Sequence, residues 1–379
     1  MEISGSAAIG NTGAADKGEE PQEALPSPYF LEEPESLLSE AEEKELESSV
    51  FSAAMQVQEV YRYAEIGGEP PYTYTVRDFS REQRNRVVSM LGEAGYVSVT
   101  DGANMENHNS VRDFYSAYLK GQDSLVTIFD VNLDGLIGAY TFIHRKGNLQ
   151  TFYVQIGWRE GGVPEIISTA VSDIAEIKLT EKGYFIYAYT VQLYHSSLRQ
   201  FWRAAPLSDR CRELTEKYLD GLSYVNYNLL VTDWDSSNVE DILMPCMFED
   251  LYRMDTGEIL RPENGEIPAE VYERIMTEYS PVTKERIREI CGYRADTDSY
   301  PYEMIFSSPY PPFGEVVGDK ENPDGTLTLF VDGVWPDYNS DRAFTNIITV
   351  QPFDDGTFRY LSNSIEKKEL EIPSVYDMK

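Results

Sequence analysis

Apolar residues recur three or four positions apart from residue 34 onward, and Leu46, Val50, Ala53, Val57 and Tyr61 share a helical face that runs out before Gly67. Ser80, followed three residues later by Gln83, reads as the N-cap of a second helix carrying Val87, Val88, Met90 and Leu91 to a stop at Gly92 or Gly95. A third helix is predicted from Val111 to Leu119, with Phe114, Tyr115 and Tyr118 on one side. The period then changes to two, through "SLVTIFDVN", "LIGAYTFIHR", "LQTFYVQIGW", a segment near Ile166 to Thr180, and "YFIYAYTVQLY". In the last of these Phe185, Tyr187, Tyr189, Val191 and Leu193 fall on one face. Short glycine-bearing turns join the runs, which predicts an antiparallel meander.

Between Ser197 and Glu266 the pattern mixes a helix after Ser208, an apolar strand "YNLLVTDWD" and a helix through Glu249 to Met254. "IPAEVYERIMTEYSPVTKERIREICG" predicts two helices broken near Pro281, and "GTLTLFVDGVW", "AFTNIITVQPF" and "TFRYLSNSI" predict strands with turns at "NPDG" and "DDG". The expected fold class is α+β, two domains that are each a run of helices followed by a curved antiparallel meander. The expected bounds are a flexible leader over 1–28, an N-terminal domain over 29–200, a connecting helix-strand-helix region over 201–266, a C-terminal domain over 267–366 and a charged tail over 367–379. "AYTFIHRKGNLQTFYVQIGW" from Ala139 matches "AFTNIITVQPFDDGTFRYLSNSI" from Ala343 in outline. Duplication and independent amphipathic hairpins both produce such a match.

At 379 residues, 41% of them hydrophobic, the chain can bury one large core or two ordinary ones. Its 32 basic against 65 acidic side chains give a net charge of -33, which repels phosphate backbones and anionic headgroups and argues against nucleic acid as a partner. Residues 1–50 alone hold 13 acids against 2 lysines, so much of the acidity belongs to a tail and a helix surface. Residues 1–27 are Gly, Ala, Ser, Glu and Pro with almost nothing to bury. They are expected to form a leader of the kind left when a bacterial lipoprotein loses its signal and lipidated cysteine. No run approaches the roughly 18 apolar residues of a membrane span, and no signal peptide opens the chain as given. Cys211, Cys246 and Cys291 cannot all pair, and none makes a C-x-x-C spacing. Cys211, in helical register with Leu214 and Tyr218, and Cys291, four residues after Ile287, read as small core residues. So few cysteines fit the cytoplasm and the exterior of a Gram-positive anaerobe equally.

Candidate chemistry is sparse. Asp130, Asn132, Asp134 and Gly135 are spaced like the opening of a calcium loop, but position nine is Gly138, position twelve is Thr141, and the flanks read as strands. A tight hairpin turn is therefore the expectation. "TDWDSSNVED" gathers Asp233, Asp235, Glu240 and Asp241 around Trp234, which suits either a glycosidase's paired carboxylates or a helix start rich in acids. "RADTDSYPY", from Arg294 to Tyr302, reads as a polar connection. His108, His144 and His195 form no H-E-x-x-H, and no G-x-S-x-G or phosphate loop occurs. Ser364 and Lys367 make an S-x-x-K without a K-T-G partner. The 27 tyrosines suit a stacking platform or simply strands. "SSPYPPFGEVV" is expected to cover a sheet edge, or to present Tyr310 and Phe313 to a partner. No catalytic or binding residue can be named on these grounds, and neither a metal nor a cofactor is expected.

"LLVTDWD", "SPYPPFGEVV", "DGTLTLFVDGVWPDYNSDRAFTN" and "GTFRYLSNSI" resemble the characteristic segments of an uncharacterised family of predicted lipoproteins from gut Clostridia, chiefly Lachnospiraceae, a domain of unknown function. The similarity covers most of the chain and is densest from Phe201 to Ile365. It implies an extracytoplasmic protein held at the membrane only through an N-terminal lipid anchor, and it implies no chemistry. The chain departs from that pattern in lacking the lipobox cysteine, as expected where the signal has been removed. The leading expectation is a non-enzymatic surface module that binds a glycan, a peptide or another envelope component. The alternatives are a carbohydrate- or wall-acting hydrolase using acids such as Asp233 and Asp235, and a module that inhibits or recruits a wall enzyme. A cleft with two carboxylates about 5 to 9.5 Å apart favours the hydrolase, and an aromatic groove favours binding.

Overall fold

The computed structural model describes residues 34–68, 73–101, 103–190, 199–224, 229–242, 244–258, 260–262, 264–302 and 312–368, the side chains of 244–246 excepted. The leader, the end of the tail, His195, the Cys246 side chain, Tyr310 and most of the proline-rich segment lie outside them. Among the described residues no helix is long and apolar enough to cross a membrane.

The α+β expectation holds. The first lobe opens with helices α1 (Glu40–Tyr61), α2 (Arg81–Glu93) and α3 (Asn109–Leu119), with strand β1 (Val97–Thr100) between the last two. Ser39 and Ser80 each build a reciprocal capping box, with Glu42 and Gln83, satisfying backbone donors that a helix start leaves open. Strands β2 (Ser124–Val131), β3 (Ile137–Arg145), β4 (Asn148–Arg159), β5 (Val163–Leu179), β6 (Tyr184–Tyr189) and β7 (Gln200–Arg203) follow as an antiparallel meander. The pattern missed β1, a parallel edge strand beside β2 whose four residues are all buried and so do not alternate.

The sheet curls back on itself. The Phe142 ring on β3 lies 5.1 Å from Phe185 and 5.0 Å from Tyr187 on β6. Three strand spacings in a flat sheet would hold those strands roughly 14 Å apart. Strand β5 turns the corner: residues 163–173 pair with β4, and 174–179 pair with β6 after an irregularity. The inner face forms one core with Val111 and Phe114 of α3, and the outer face forms another under α1 and α2. There Trp158 stacks on Tyr61 at 3.5 Å and donates its indole N–H to the Gly135 carbonyl at 2.8 Å.

In the second lobe, helices α4 (Asp209–Tyr218), α5 (Met244–Thr256), α6 (Ala269–Tyr279) and α7 (Lys284–Ile290) cover one face of an antiparallel sheet. That sheet comprises β10 (Phe313–Glu321), β11 (Leu327–Trp335), β12 (Ser340–Pro352) and β13 (Phe358–Lys367). A short ribbon of β8 (Glu266–Pro268) and β9 (Ser299–Pro301) flanks the helices. Cys211 and Cys291 are buried in this lobe, as expected of small core residues. Both sheet edges are covered. The Val316 N–H on β10 donates to Thr215 Oγ1 of α4 at 2.9 Å, and Trp234 exchanges two backbone hydrogen bonds with Asn363 on β13. The predicted strand "YNLLVTDWD" is thus corrected: over residues 229–235 the chain makes turns and this single bridge.

The lobes meet at a small apolar contact of Tyr184 and Ile186 with Phe313 and Val334. Ion pairs surround it. Arg203 Nη1 lies 2.8 and 2.7 Å from the two oxygens of Glu315, to which the Tyr184 hydroxyl also donates. Lys182 Nζ is 2.5 Å from Asp332 Oδ2, and the backbone N–H of Arg199 donates to Asp337 Oδ1 at 3.1 Å. Glu315 and Asp332 are almost wholly buried, so they depend on these cations to offset desolvation. Glu315→Ala should lower unfolding stability in urea by about 3 to 5 kcal/mol, because it strands the Arg203 charge. Arg203→Met with Glu315→Leu should recover most of that loss, and a cost below about 1 kcal/mol for the single change would contradict this account of the seam.

Candidate functional site

The polar candidates from the sequence are mostly architectural. The "NLDG" stretch closes the β2–β3 hairpin: Gly135 N–H donates to the Asn132 carbonyl at 3.0 Å, and Leu136 N–H to Asp134 Oδ1 at 3.2 Å. Gly135 has φ +78, and a Cβ there would come within 2.7 Å of Val76. "NPDG" and "DDG" build the same turn, with Asp324 and Asp355 each accepting from the backbone two residues on.

Asp233 and Asp235 are each engaged by backbone groups. Asp233 Oδ1 accepts the Ile365 N–H of the β13 edge at 2.7 Å, and Asp235 Oδ1 accepts the backbone and hydroxyl of Ser237. Those last two bonds hold the Asp235 carboxyl below its ordinary range. Glu240 pairs with Arg286, and Asp241 accepts from Asn238 at 3.0 Å. "RADTDSYPY" folds into the turn before β9, where Arg294 pairs with Glu266. His144 is buried with Nδ1 2.7 Å from the Gln122 carbonyl, and Ser364 and Lys367 lie on β13. Among the described residues no three His, Cys, Asp or Glu side chains gather as a metal site would require.

What the sequence reading passed over is a cleft of about 600 Å³ where the two lobes meet. That is ample for a ligand of a few rings. Its floor is the C-terminal end of β1 and β2, from Val99 to Asp101 and from Asp130 to Leu133. One wall is Tyr184, Phe201 and Trp202; α4 and residues 219–222 face it, and Phe313 to Glu315 form the lip. Phe201 and Phe313 stack at 5.5 Å with their planes 16° apart, and Phe201 keeps 36% of its surface exposed.

Asp130 is the centre of this site. It stands opposite Gly138 in the β2–β3 register, and a Cβ on Gly138 would press within 3.0 Å of the Tyr140 and Tyr153 rings. The missing side chain leaves room for those two rings. Trp202 Nε1 donates to Asp130 Oδ2 at 2.9 Å, while Oδ1 has no hydrogen-bond partner among the described residues. Burial pushes the Asp130 carboxyl up to about 6; the Trp202 bond opposes that rise, and the Asp101 charge adds to it. Burial likewise raises Tyr153 to about 12, with the Asp130 charge contributing. Asp220 is also raised, by desolvation first, with Arg81 opposing and Glu216 and Asp101 reinforcing. The cleft therefore holds acids that crowd one another.

A carboxyl with a folded pKa of about 6 against an ordinary 3.8 favours the protonated form on folding. Its penalty is absent below about pH 4, grows between pH 4 and 6, and is complete above that. Asp130→Asn keeps an acceptor for Trp202 and removes the charge. It should raise unfolding stability by about 2 to 3 kcal/mol at pH 8 and leave it unchanged at pH 4. Equal urea midpoints for the two proteins at pH 8 would contradict the burial of this charge.

No curated protein and no solved structure matches the chain. A profile described as "Family of unknown function (DUF6070)" matches residues 43–379. The chain therefore belongs to the DUF6070 family, a family of unknown function.

Proposed function

We propose that this protein is a binding module, and that the cleft between its lobes takes a short glycan or peptide fragment of the cell envelope. The observation that carries this reading is the half-buried Asp130 carboxyl, which takes a single indole N–H and lines the same cleft as the stacked Phe201 and Phe313 rings. Aromatic faces beside a few polar groups suit ligands that are apolar on one side and hydroxylated or charged on the other. The Arg203–Glu315 pair ties the two walls of the cleft together.

The location is part of the proposal: outside the cytoplasmic membrane, tethered by a lipid on a cysteine upstream of the leader. The unpaired cysteines are neutral on this point. The composition of residues 1–27 and the resemblance to predicted lipoproteins of gut Clostridia support it. Labelling with a palmitate analogue in the native host, followed by detergent partition, should recover the protein in the lipid-linked fraction. Recovery in the cytosol without label would count against the anchor.

A second reading has an observation of its own. Asp130, with a pKa of about 6, could donate a proton as a general acid, with Asp101 beside it in the cleft as the second carboxylate of a hydrolase. Calorimetric titration of the full chain with envelope fragments separates the two. Binding without turnover is expected, weakened about fivefold or more by Phe201→Ala through loss of a ring contact. Release of product abolished by Asp130→Asn would replace the binding module with the hydrolase.

A further inference from the structure

We infer that the ligand of the cleft carries a positively charged amine, with Asp130 as its counter-ion and the Phe201 and Phe313 rings beside it. The inference rests on the reading of the cleft as a ligand site.

The charges lining the cleft do not cancel. Every arginine there already has a carboxylate: Arg203 lies 2.7 Å from Glu315, Arg81 lies 2.6 Å from Glu216, and Arg212 lies 3.2 Å from Asp209. Asp101 and Asp130 form no ion pair among the described residues, and Asp220 reaches only Arg81, at 3.8 Å. Asp101 and Asp130 thus face the cavity with no cation of their own, and Asp220 shares Arg81 with Glu216. Folding gives no return for that arrangement, because each acid raises the free energy of its neighbours.

A bound cation relieves it. A neutral hydroxyl would satisfy the unpaired Asp130 oxygen but leave the repulsion, and an anion would add to it. An ammonium group satisfies both, since it brings a charge and several N–H donors. The wall fits the same group. Ring faces attract cations within about 6 Å, and Phe201 is the most exposed ring on the wall. A metal ion is a poorer fit, for Trp202 occupies one oxygen of Asp130 and the rest of that wall is aromatic. The ligand class is therefore an organic amine with an apolar or ring-shaped body.

Matched pairs of probes isolate the amine. Glucosamine and lysine amide would be titrated calorimetrically into the full chain at pH 7.5, beside N-acetylglucosamine and Nε-acetyl-lysine amide. Free amines should bind at least tenfold tighter than their acetylated partners. Asp130→Asn, with an unchanged circular dichroism spectrum, should erase that preference, and Phe201→Ala should weaken both members of each pair, the amines by about threefold or more. Equal binding within each pair would overturn the inference and leave the cleft a ligand site. Binding of neither kind at tens of millimolar would overturn both. An amine preference that survives Asp130→Asn would remove Asp130 from the role given to it here.

Discussion

Glu315 is the constraint on which the arrangement of the two lobes depends. A lone carboxylate at 4% exposure would be untenable, and it is held by Arg203 of β7 and Tyr184 of β6, both from the other lobe. The apolar contacts at the seam, among them Tyr184 and Ile186 on Phe313 and Val334 and the Phe201–Phe313 stack, have no strongly preferred direction. Hydrogen bonds to a carboxylate do. Lys182 on Asp332 repeats the device along the same boundary, and the Arg199 backbone N–H adds a bond to Asp337, so the second sheet is held at several points. Ion pairs of this kind add little net stability over well-packed apolar residues, which makes orientation their better explanation.

The cleft follows from that orientation. Glu315 and Arg203 both line the cleft, so the pair that joins the lobes is also part of its wall. Asp130 differs in kind from the other buried acids. Glu273 is met by Arg288, Lys284 and Tyr300, Asp332 by Lys182 and Arg342, and Glu315 by Arg203 and Tyr184. Asp130 is met only by an indole N–H. Removing that charge should stabilise the fold, which is why Asp130 is the candidate for a role other than folding.

How much of this was legible in the sequence depended on how local each feature is. The helices could be read because their apolar spacing and the Ser80–Gln83 box are complete within one turn or a few. The meander could be read because alternation and the Asp-Gly turns need only neighbouring residues. Strand β1 was not legible, since burial on both faces removes the alternation that identifies a strand. For Asp233 and Asp235 two readings stayed open, because density of acid is visible in a sequence while the acceptor role of an oxygen is not. What Asp233 does depends on Ile365, 132 residues away. Asp130 was noticed for its spacing to Asn132 and Asp134, yet its meaning comes from Trp202, 72 residues on, and from a gap at Gly138. A polar residue at an otherwise apolar strand end, across from a glycine, was the one available signal.

The net charge of -33 and the cleft's three carboxylates act over different distances, and that separates capture from selection. At physiological salt the field of a surface charge decays over about 8 Å, so the acidic exterior raises the local concentration of any cation without distinguishing among them. Within the cleft the effective dielectric falls from that of water to about 20, which strengthens a contact at a given distance roughly fourfold. An inorganic cation gains from the exterior as much as an amine does, but it has no apolar body to bury against Phe201 and Phe313. Selection therefore requires the carboxylate and the rings together, which is what the junction of the two lobes brings to one place.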